Sequence, residues 1–251
     1  DSLIQEIHIV GSQHAEHRKA TSLYFGGGTP ALAANRIKEI VNALSEHFII
    51  TEGIGLELHP DNVNVETLQM LKDAGVTKIS IGIQSFCDKY QKILGRKKID
   101  TAEMMSALSA VSFETVSMDF IFALPGQTYD DLKSDIDTAF LLGANHVAIY
   151  PFIDFTFTES PVTAMPKKDK RELLDAITQY CLGKGYSRNS IWTFSSGTDA
   201  NYSSMTRDNF LGFGCSATSL FKEQFKKVWV PLMVAAMKNY FTKVTDLLVR
   251  L

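Results

Sequence analysis

Cysteine is scarce in this 251-residue chain: Cys87, Cys181 and Cys215 lie far apart and are odd in number. That pattern excludes a disulfide scaffold and matches no zinc or cluster spacing. It points to a reducing compartment, so a cytoplasmic protein is expected. Long apolar runs are missing too. The longest, residues 228–237, is broken by Pro231 and followed by Lys238, too short to span a bilayer. Nor is there an excess of one charge. With 25 basic and 28 acidic residues the net charge is −3, which leaves no electrostatic footprint for nucleic acid or anionic lipid. The first residues, Asp1-Ser2-Leu3-Ile4-Gln5-Glu6, lack the basic flank and apolar core of a secretory signal. The first residue is not Met, and a segment upstream of it is expected.

What is present is an ordinary globular composition, enough for one large domain or one and a half. Short β-rich runs at 21–25, 54–58, 77–83, 116–122 and 146–152 alternate with amphipathic stretches at 31–47, 63–74, 88–94, 101–111 and 128–142. Gly75 and Gly143 fall just past two of these stretches, where left-handed helix caps belong. Such alternation implies right-handed βαβ units and a parallel sheet. Length alone does not decide between a barrel and a doubly wound sheet. After residue 152 the texture changes. A Thr-rich loop with Ser160-Pro161 leads to a helix over 167–182 that stops at Gly183-Lys184-Gly185. An irregular region over 186–219 and a final helix over 230–251 are expected after it. The domain change is placed near Ala164, giving a core over 1–164 and a smaller domain over 165–251.

In parallel βα architectures chemistry gathers at the carboxyl ends of the strands. The first run ends in Gly26-Gly27-Gly28-Thr29-Pro30, where the backbone can approach a ligand closely; a tight turn or a phosphate nest would look the same. The second ends in Glu57-Leu58-His59-Pro60 and the third in Gln84-Ser85-Phe86. The fourth carries Asp119 within apolar residues, and the fifth ends in Tyr150-Pro151. Glycines, a Glu, a Gln and an Asp make a polar pocket without basic residues, suited to a zwitterion with hydroxyls. The absence of a Gly-Lys-Ser/Thr sequence disfavours a P-loop.

Six motifs then fall in register. They are Tyr24-Phe25-Gly26-Gly27-Gly28-Thr29-Pro30, Glu57-Leu58-His59-Pro60, Ile81-Gly82-Ile83-Gln84-Ser85-Phe86, Leu94-Gly95-Arg96, the stretch Asp119-Phe120-Ile121-Phe122-Ala123-Leu124-Pro125-Gly126-Gln127-Thr128, and Leu211-Gly212-Phe213-Gly214-Cys215-Ser216-Ala217. Together, over residues 23–220, they resemble the oxygen-independent coproporphyrinogen III oxidase family of radical S-adenosylmethionine (SAM) proteins. The resemblance implies an α/β fold: a partial (β/α)6 TIM-like barrel whose first strand is not in this sequence, with a smaller C-terminal domain. It implies SAM and a [4Fe–4S] cluster as cofactors. The matching SAM contacts are Gly27, Gly28, Thr29, Glu57, Gln84, Arg96 and Asp119, with Pro151 and Thr218 touching mainly through backbone. Arg96, on a short helix beyond the third strand, suits a carboxylate. No metal ligand is assigned in this chain. The cluster cysteines of the family's Cys-x-x-x-Cys-x-x-Cys loop are expected upstream of Asp1, and the first visible strand is expected to have an open edge.

The implied chemistry is reductive cleavage of SAM to a 5′-deoxyadenosyl radical that abstracts hydrogen from a substrate. A tetrapyrrole is the expected substrate, and flavodoxin or ferredoxin the electron donor. Trp192, Phe194, Tyr202 and Phe210 suit a flat apolar molecule, or equally an aromatic core. The alternatives are a non-catalytic heme chaperone on the same scaffold and a radical SAM C-methyltransferase.

Overall fold

In the computed structural model, the residues described are 1–13, 18–153, 164–197, 209–215, 217–221, 224–227 and 246–250. The chain forms two compact units, one from residues 1–79 and 203–251, the other from residues 80–202.

The first unit begins with helix α1 (Ser2–Gly11). Strand β1 (Arg18–Ala20), strand β2 (Ser22–Gly26), helix α2 (Ala34–Ser45) and strand β3 (Phe48–Ile50) follow, then strand β4 (Ile54–Leu58) and helix α3 (Val65–Asp73). Side-chain alternation sets the faces of β2: Leu23 and Phe25 are buried while Tyr24 between them is half-buried. Ile7, Ile37, Leu44, Leu56, Leu68 and Leu71 complete this core. Each such side chain contributes about 1.5–3 kcal/mol on burial. Helix α3 starts where the Asn64 side chain accepts from the Thr67 N–H at 2.9 Å. β2 and β4 run parallel, with Leu23 opposite Ile54 and Phe25 opposite Leu56. Their carboxyl ends, Gly26 and Leu58, therefore lie at one end of the sheet.

Four more strands belong to this unit: β10 (Phe210–Phe213), β11 (Thr218–Phe221), β12 (Gln224–Lys227) and β13 (Asp246–Arg250). The strand order is β12-β11-β10-β13-β2-β4. The expected open edge beside the first visible strand is not there, because β13 pairs antiparallel with all of β2, Asp246 opposite Gly26 and Arg250 opposite Ser22. A bare edge leaves a row of N–H and C=O groups unpaired, and β13 satisfies them. This also corrects the helix expected over 230–251: residues 246–250 are a strand, and 228–245 lie outside the described residues. The parallel pair of β1 and β3, with Arg18 opposite Phe48, was not expected from sequence either.

The second unit holds β5 (Lys78–Gln84), most of which falls within it, α4 (Asp88–Ile93), α5 (Thr101–Ala110), β6 (Thr115–Phe122) and α6 (Tyr129–Leu141). After these come β7 (His146–Pro151), α7 (Lys167–Gly183), β8 (Ser187–Arg188) and β9 (Thr193–Ser195). Its strand order is β5-β6-β7-β9-β8. β6 and β7 are parallel, with Asp119 opposite Ala148 and Phe122 opposite Pro151. Helix α6 starts from a capping box, Thr128 accepting from the Asp131 N–H while Asp131 accepts from the Thr128 N–H. It stops at Gly143, φ +98°. There the Gly143 N–H reaches the Phe140 carbonyl and the Ala144 N–H reaches that of Ala139. Met118, Phe120, Phe122, Leu132, Ile136, Val147, Ile149, Ile177 and Phe194 are buried. The region expected to be irregular over 186–219 contains β8 to β11. Ser160-Pro161 and Tyr202 lie outside the described residues.

Candidate functional site

The two units each carry a set of the expected residues. In the first, β2 runs out into Gly26, then Gly27 at φ +86° and Gly28 at φ +147°. Glu57, half-buried near the end of β4, closes this turn from beneath. Its Oε1 accepts from the Tyr24 hydroxyl at 2.8 Å, and its carboxylate accepts from the Gly27 and Gly28 N–H groups. Burial raises the Glu57 carboxyl above its ordinary range, and these three donors oppose the shift. Gly26 must be glycine for this to fit: a Cβ there would stand 2.9 Å from the Tyr24 ring and 3.1 Å from the Glu57 Oε1. Gly28 is different. A Cβ on it would meet nothing within 4 Å, so its exposed face is open to an incoming group. Thr29 is half-buried and its carbonyl accepts from the Leu32 N–H at 3.0 Å.

Thr218 is the first residue of β11, at the end of the sheet that carries Gly26, although β13 and β10 stand between β11 and β2. Its carbonyl packs on Gly212, where a Cβ would come within 2.3 Å of it. The neighbouring Gly214 N–H donates to Glu6 Oε2 at 3.1 Å, tying this loop to α1.

In the second unit, Gln84 ends β5 with φ +68°. A left-handed conformation at a residue other than glycine costs about 1–3 kcal/mol and persists only where neighbours impose it. Asp135, buried on α6, imposes it. It accepts from the Ser85 hydroxyl at 2.7 Å and from the Phe86 N–H at 2.7 Å. The buried Gln91 donates to the Ile83 carbonyl at 2.9 Å from the other side. Burial pushes the Asp135 carboxyl up to about 6, against these two donors. Among the described residues, Ala123, just past β6, is the other such residue, φ +61°. Left-handed backbone thus stands at the carboxyl ends of two strands of this unit.

Asp119, half-buried in β6, accepts from the Ser80 hydroxyl at 2.8 Å and from the Ser117 hydroxyl at 3.3 Å. Ser117 in turn lies 2.9 Å from Nδ1 of His146, which is buried. Burial pushes the His146 imidazole down to about 4, so it is neutral at physiological pH. Sequence reasoning missed this chain of Ser80, Asp119, Ser117 and His146. The only available signal was polar residues at alternate positions of two apolar strands. Arg96 is not on a helix, as expected, but just beyond α4, because Gly95 at φ +67° turns the chain. Its Nη1 donates to the Gly82 carbonyl of β5 at 2.6 Å. Pro151 ends β7 opposite Phe122. Of the aromatics, Phe194 is fully buried, whereas Trp192 is half-buried with its ring tilted on Phe122 at 5.9 Å. Phe194 is core.

A family model described as the radical SAM superfamily matches residues 5–139, more than half of the chain. The chain belongs to the radical SAM superfamily. Members of this superfamily use SAM with a [4Fe–4S] cluster. Among curated proteins, the chain is 29% identical over 233 residues to the heme chaperone HemW of Lactococcus lactis, covering 87% of this chain and 60% of that protein. It is 25% identical over 202 residues to the oxygen-independent coproporphyrinogen III oxidase of Pseudomonas aeruginosa, covering 73% and 43%. Coproporphyrinogen III oxidase (HemN) from Escherichia coli superposes with a TM-score of 0.80 at 20% identity, over 100% of this chain and 64% of that one. The fold is the TIM-like α/β fold of radical SAM proteins. This chain spans 60% or less of the curated relatives it matches.

Whether these residues suit the superfamily's cofactors follows from their chemistry. SAM carries a cationic amine, a carboxylate and ribose hydroxyls. In the first unit the open face at Gly28 and the Glu57 carboxylate, and in the second the Asp119 carboxylate and the Arg96 guanidinium, are of the chemical kinds that bind such groups. The cluster is not matched. Cys87 follows β5, Cys181 is buried in α7 with its thiol pushed up to about 12 by burial, and Cys215 follows β10. Among the described residues, no group of three metal-binding side chains includes a cysteine. No described helix is long and apolar enough to cross a membrane.

Proposed function

We propose that this chain is the SAM-binding body of a radical SAM enzyme acting on a tetrapyrrole of porphyrinogen or heme type. The observation that carries the reading is a pair of polar arrangements, Tyr24–Glu57 with its glycine turn at the end of β2 and Ser80–Asp119 within β5 and β6, with the strained Gln84 at the end of β5. SAM, when bound, supplies the 5′-deoxyadenosyl group that abstracts hydrogen from substrate. The protein's residues bind and orient it. Gly27, Gly28 and Thr29 receive the methionine portion at the open turn, with Glu57 fixing that turn. Gln84 and Asp119 hold the ribose and amine, and Arg96 holds the carboxylate. Pro151 and Thr218 contribute backbone groups. Residues from 165 onward serve the substrate, and the electron comes from a flavodoxin or ferredoxin in the cytoplasm.

A second reading has support of its own. Several of the curated relatives are named heme chaperones, HemW of Lactococcus lactis and of Bacillus subtilis among them. On that reading the scaffold carries heme without converting it. One experiment separates the two: cluster-loaded full-length protein is incubated with SAM, a reductant and a porphyrinogen or heme. Turnover of the tetrapyrrole supports the enzyme. Stoichiometric heme binding with the tetrapyrrole recovered unchanged supports the chaperone and overturns the first reading.

A further inference from the structure

One cluster of side chains in the first unit takes no part in the SAM assignment, yet it has the donor set of a metal centre. We propose that His8, Glu46 and His47 bind a divalent transition ion of the zinc class. Nδ1 of His8 lies 3.1 Å from Nε2 of His47 and 3.8 Å from Oε2 of Glu46. The three ligand atoms all lie within 4.8 Å of one another. A tetrahedral zinc ion with bonds of about 2.0–2.1 Å holds neighbouring donors about 3.3 Å apart, between the two measured separations. Two imidazoles and a carboxylate with a fourth position left to water is a donor set zinc accepts.

The arrangement is built around His47. Its N–H donates to the Leu44 carbonyl at 2.9 Å and its own carbonyl accepts from the Arg18 N–H at 3.2 Å, which fixes its backbone from both sides. Its ring lies directly against Gly11 of α1: a Cβ at Gly11 would stand 2.3 Å from the His47 Cγ. The absence of a side chain at Gly11 is what lets the ring reach His8. The two imidazoles meet at an interplanar angle of 73°, edge toward face instead of stacked. A hydrogen bond between neutral imidazoles accounts for one nitrogen pair only. The Glu46 carboxylate, at 3.8 Å, is outside hydrogen-bond range of His8 and suits a shared cation. Bound there, the ion clips α1 to the connection between α2 and β3, and its binding free energy adds to the stability of this unit.

The test is a competition titration of the full protein with zinc chloride against a fluorescent zinc indicator near neutral pH, alongside thermal melts. One zinc per chain is expected from this site. Changing His8→Ala or His47→Ala should weaken it at least about a hundredfold, and Glu46→Gln about tenfold. Zinc should raise the melting temperature of the unaltered protein but not that of His8→Ala. The His8 side chain is 43% exposed, so that variant keeps its fold even if His47→Ala does not. Zinc affinity unchanged in His8→Ala, which would place the ion on other histidines or on cysteines, overturns the proposal. So does the absence of zinc uptake by the unaltered protein up to about 1 mM.

Discussion

Alanine at Gly28 separates a cost of folding from a cost of binding. Gly28 has φ +147° and Gly143 has φ +98°, and at both a Cβ meets nothing within 4 Å. Neither substitution creates a clash, so each is destabilised only by left-handed backbone, about 1–3 kcal/mol. The two differ in what lies in front of them. Gly143 caps α6, whereas the open face of Gly28 is assigned to SAM. A methyl group there takes the room of the ligand and should weaken SAM about tenfold to a hundredfold, or about 1.4–2.8 kcal/mol. Urea denaturation gives the folding cost, and equilibrium titration of cluster-loaded protein with SAM gives the binding cost. The expected pattern is similar destabilisation in both variants with SAM affinity lost in Gly28→Ala alone. Equal SAM affinity in the two variants would refute the assignment of the Gly28 face to the ligand.

Other outcomes follow from the same geometry. Gln84→Gly relieves a strained φ of +68°, so stability should rise by about 1 kcal/mol while SAM affinity falls; a melt and a titration that move together would mean Gln84 only shapes the backbone. Asp119→Asn leaves the fold intact and weakens SAM about tenfold or more, read by calorimetric titration. Asp135→Ala strips the Ser85 hydroxyl and Phe86 N–H of their acceptor and should cost about 3 kcal/mol in urea denaturation. His146 titrates near 4 in the fold against 6.5 when exposed, so the unfolded chain binds the extra proton first. Its contribution to stability is therefore complete above pH 6.5 and is lost as pH falls toward 4, with an NMR titration of the imidazole as the check. An imidazole titrating near 6.5 contradicts the buried placement.

Much of this fold is legible as alternation. Apolar runs such as Ile79 to Ile83 have too little helical period to be anything but strands, and each observed strand of the parallel set begins and ends within one residue of its run. Glycine after a helix is equally plain, as at Gly75 and Gly143. The polar chemistry was only half legible. A carboxylate at a strand end can be read locally, but its partners cannot: Tyr24 is 33 residues from Glu57 and Ser80 is 39 from Asp119. The strain at Gln84 was hidden because its cause, Asp135, sits 51 residues on in α6. The signal for Asp135 was one acidic residue on the apolar stripe of Leu132, Ile136 and Ala139. Strand β13 was missed because Asp246-Leu247-Leu248-Val249-Arg250 carries no alternation of its own. What makes it a strand is the free edge of β2, a tertiary cause.

SAM held for radical chemistry at the Gly28 turn and at Asp119 is tested most directly by measuring 5′-deoxyadenosine formed from SAM by reduced, cluster-loaded full-length protein. The unaltered protein should release 5′-deoxyadenosine. Gly28→Ala and Asp119→Asn should release at least about tenfold less at limiting SAM and recover as SAM is raised. No 5′-deoxyadenosine from the unaltered protein, with SAM neither bound nor cleaved, would contradict the account.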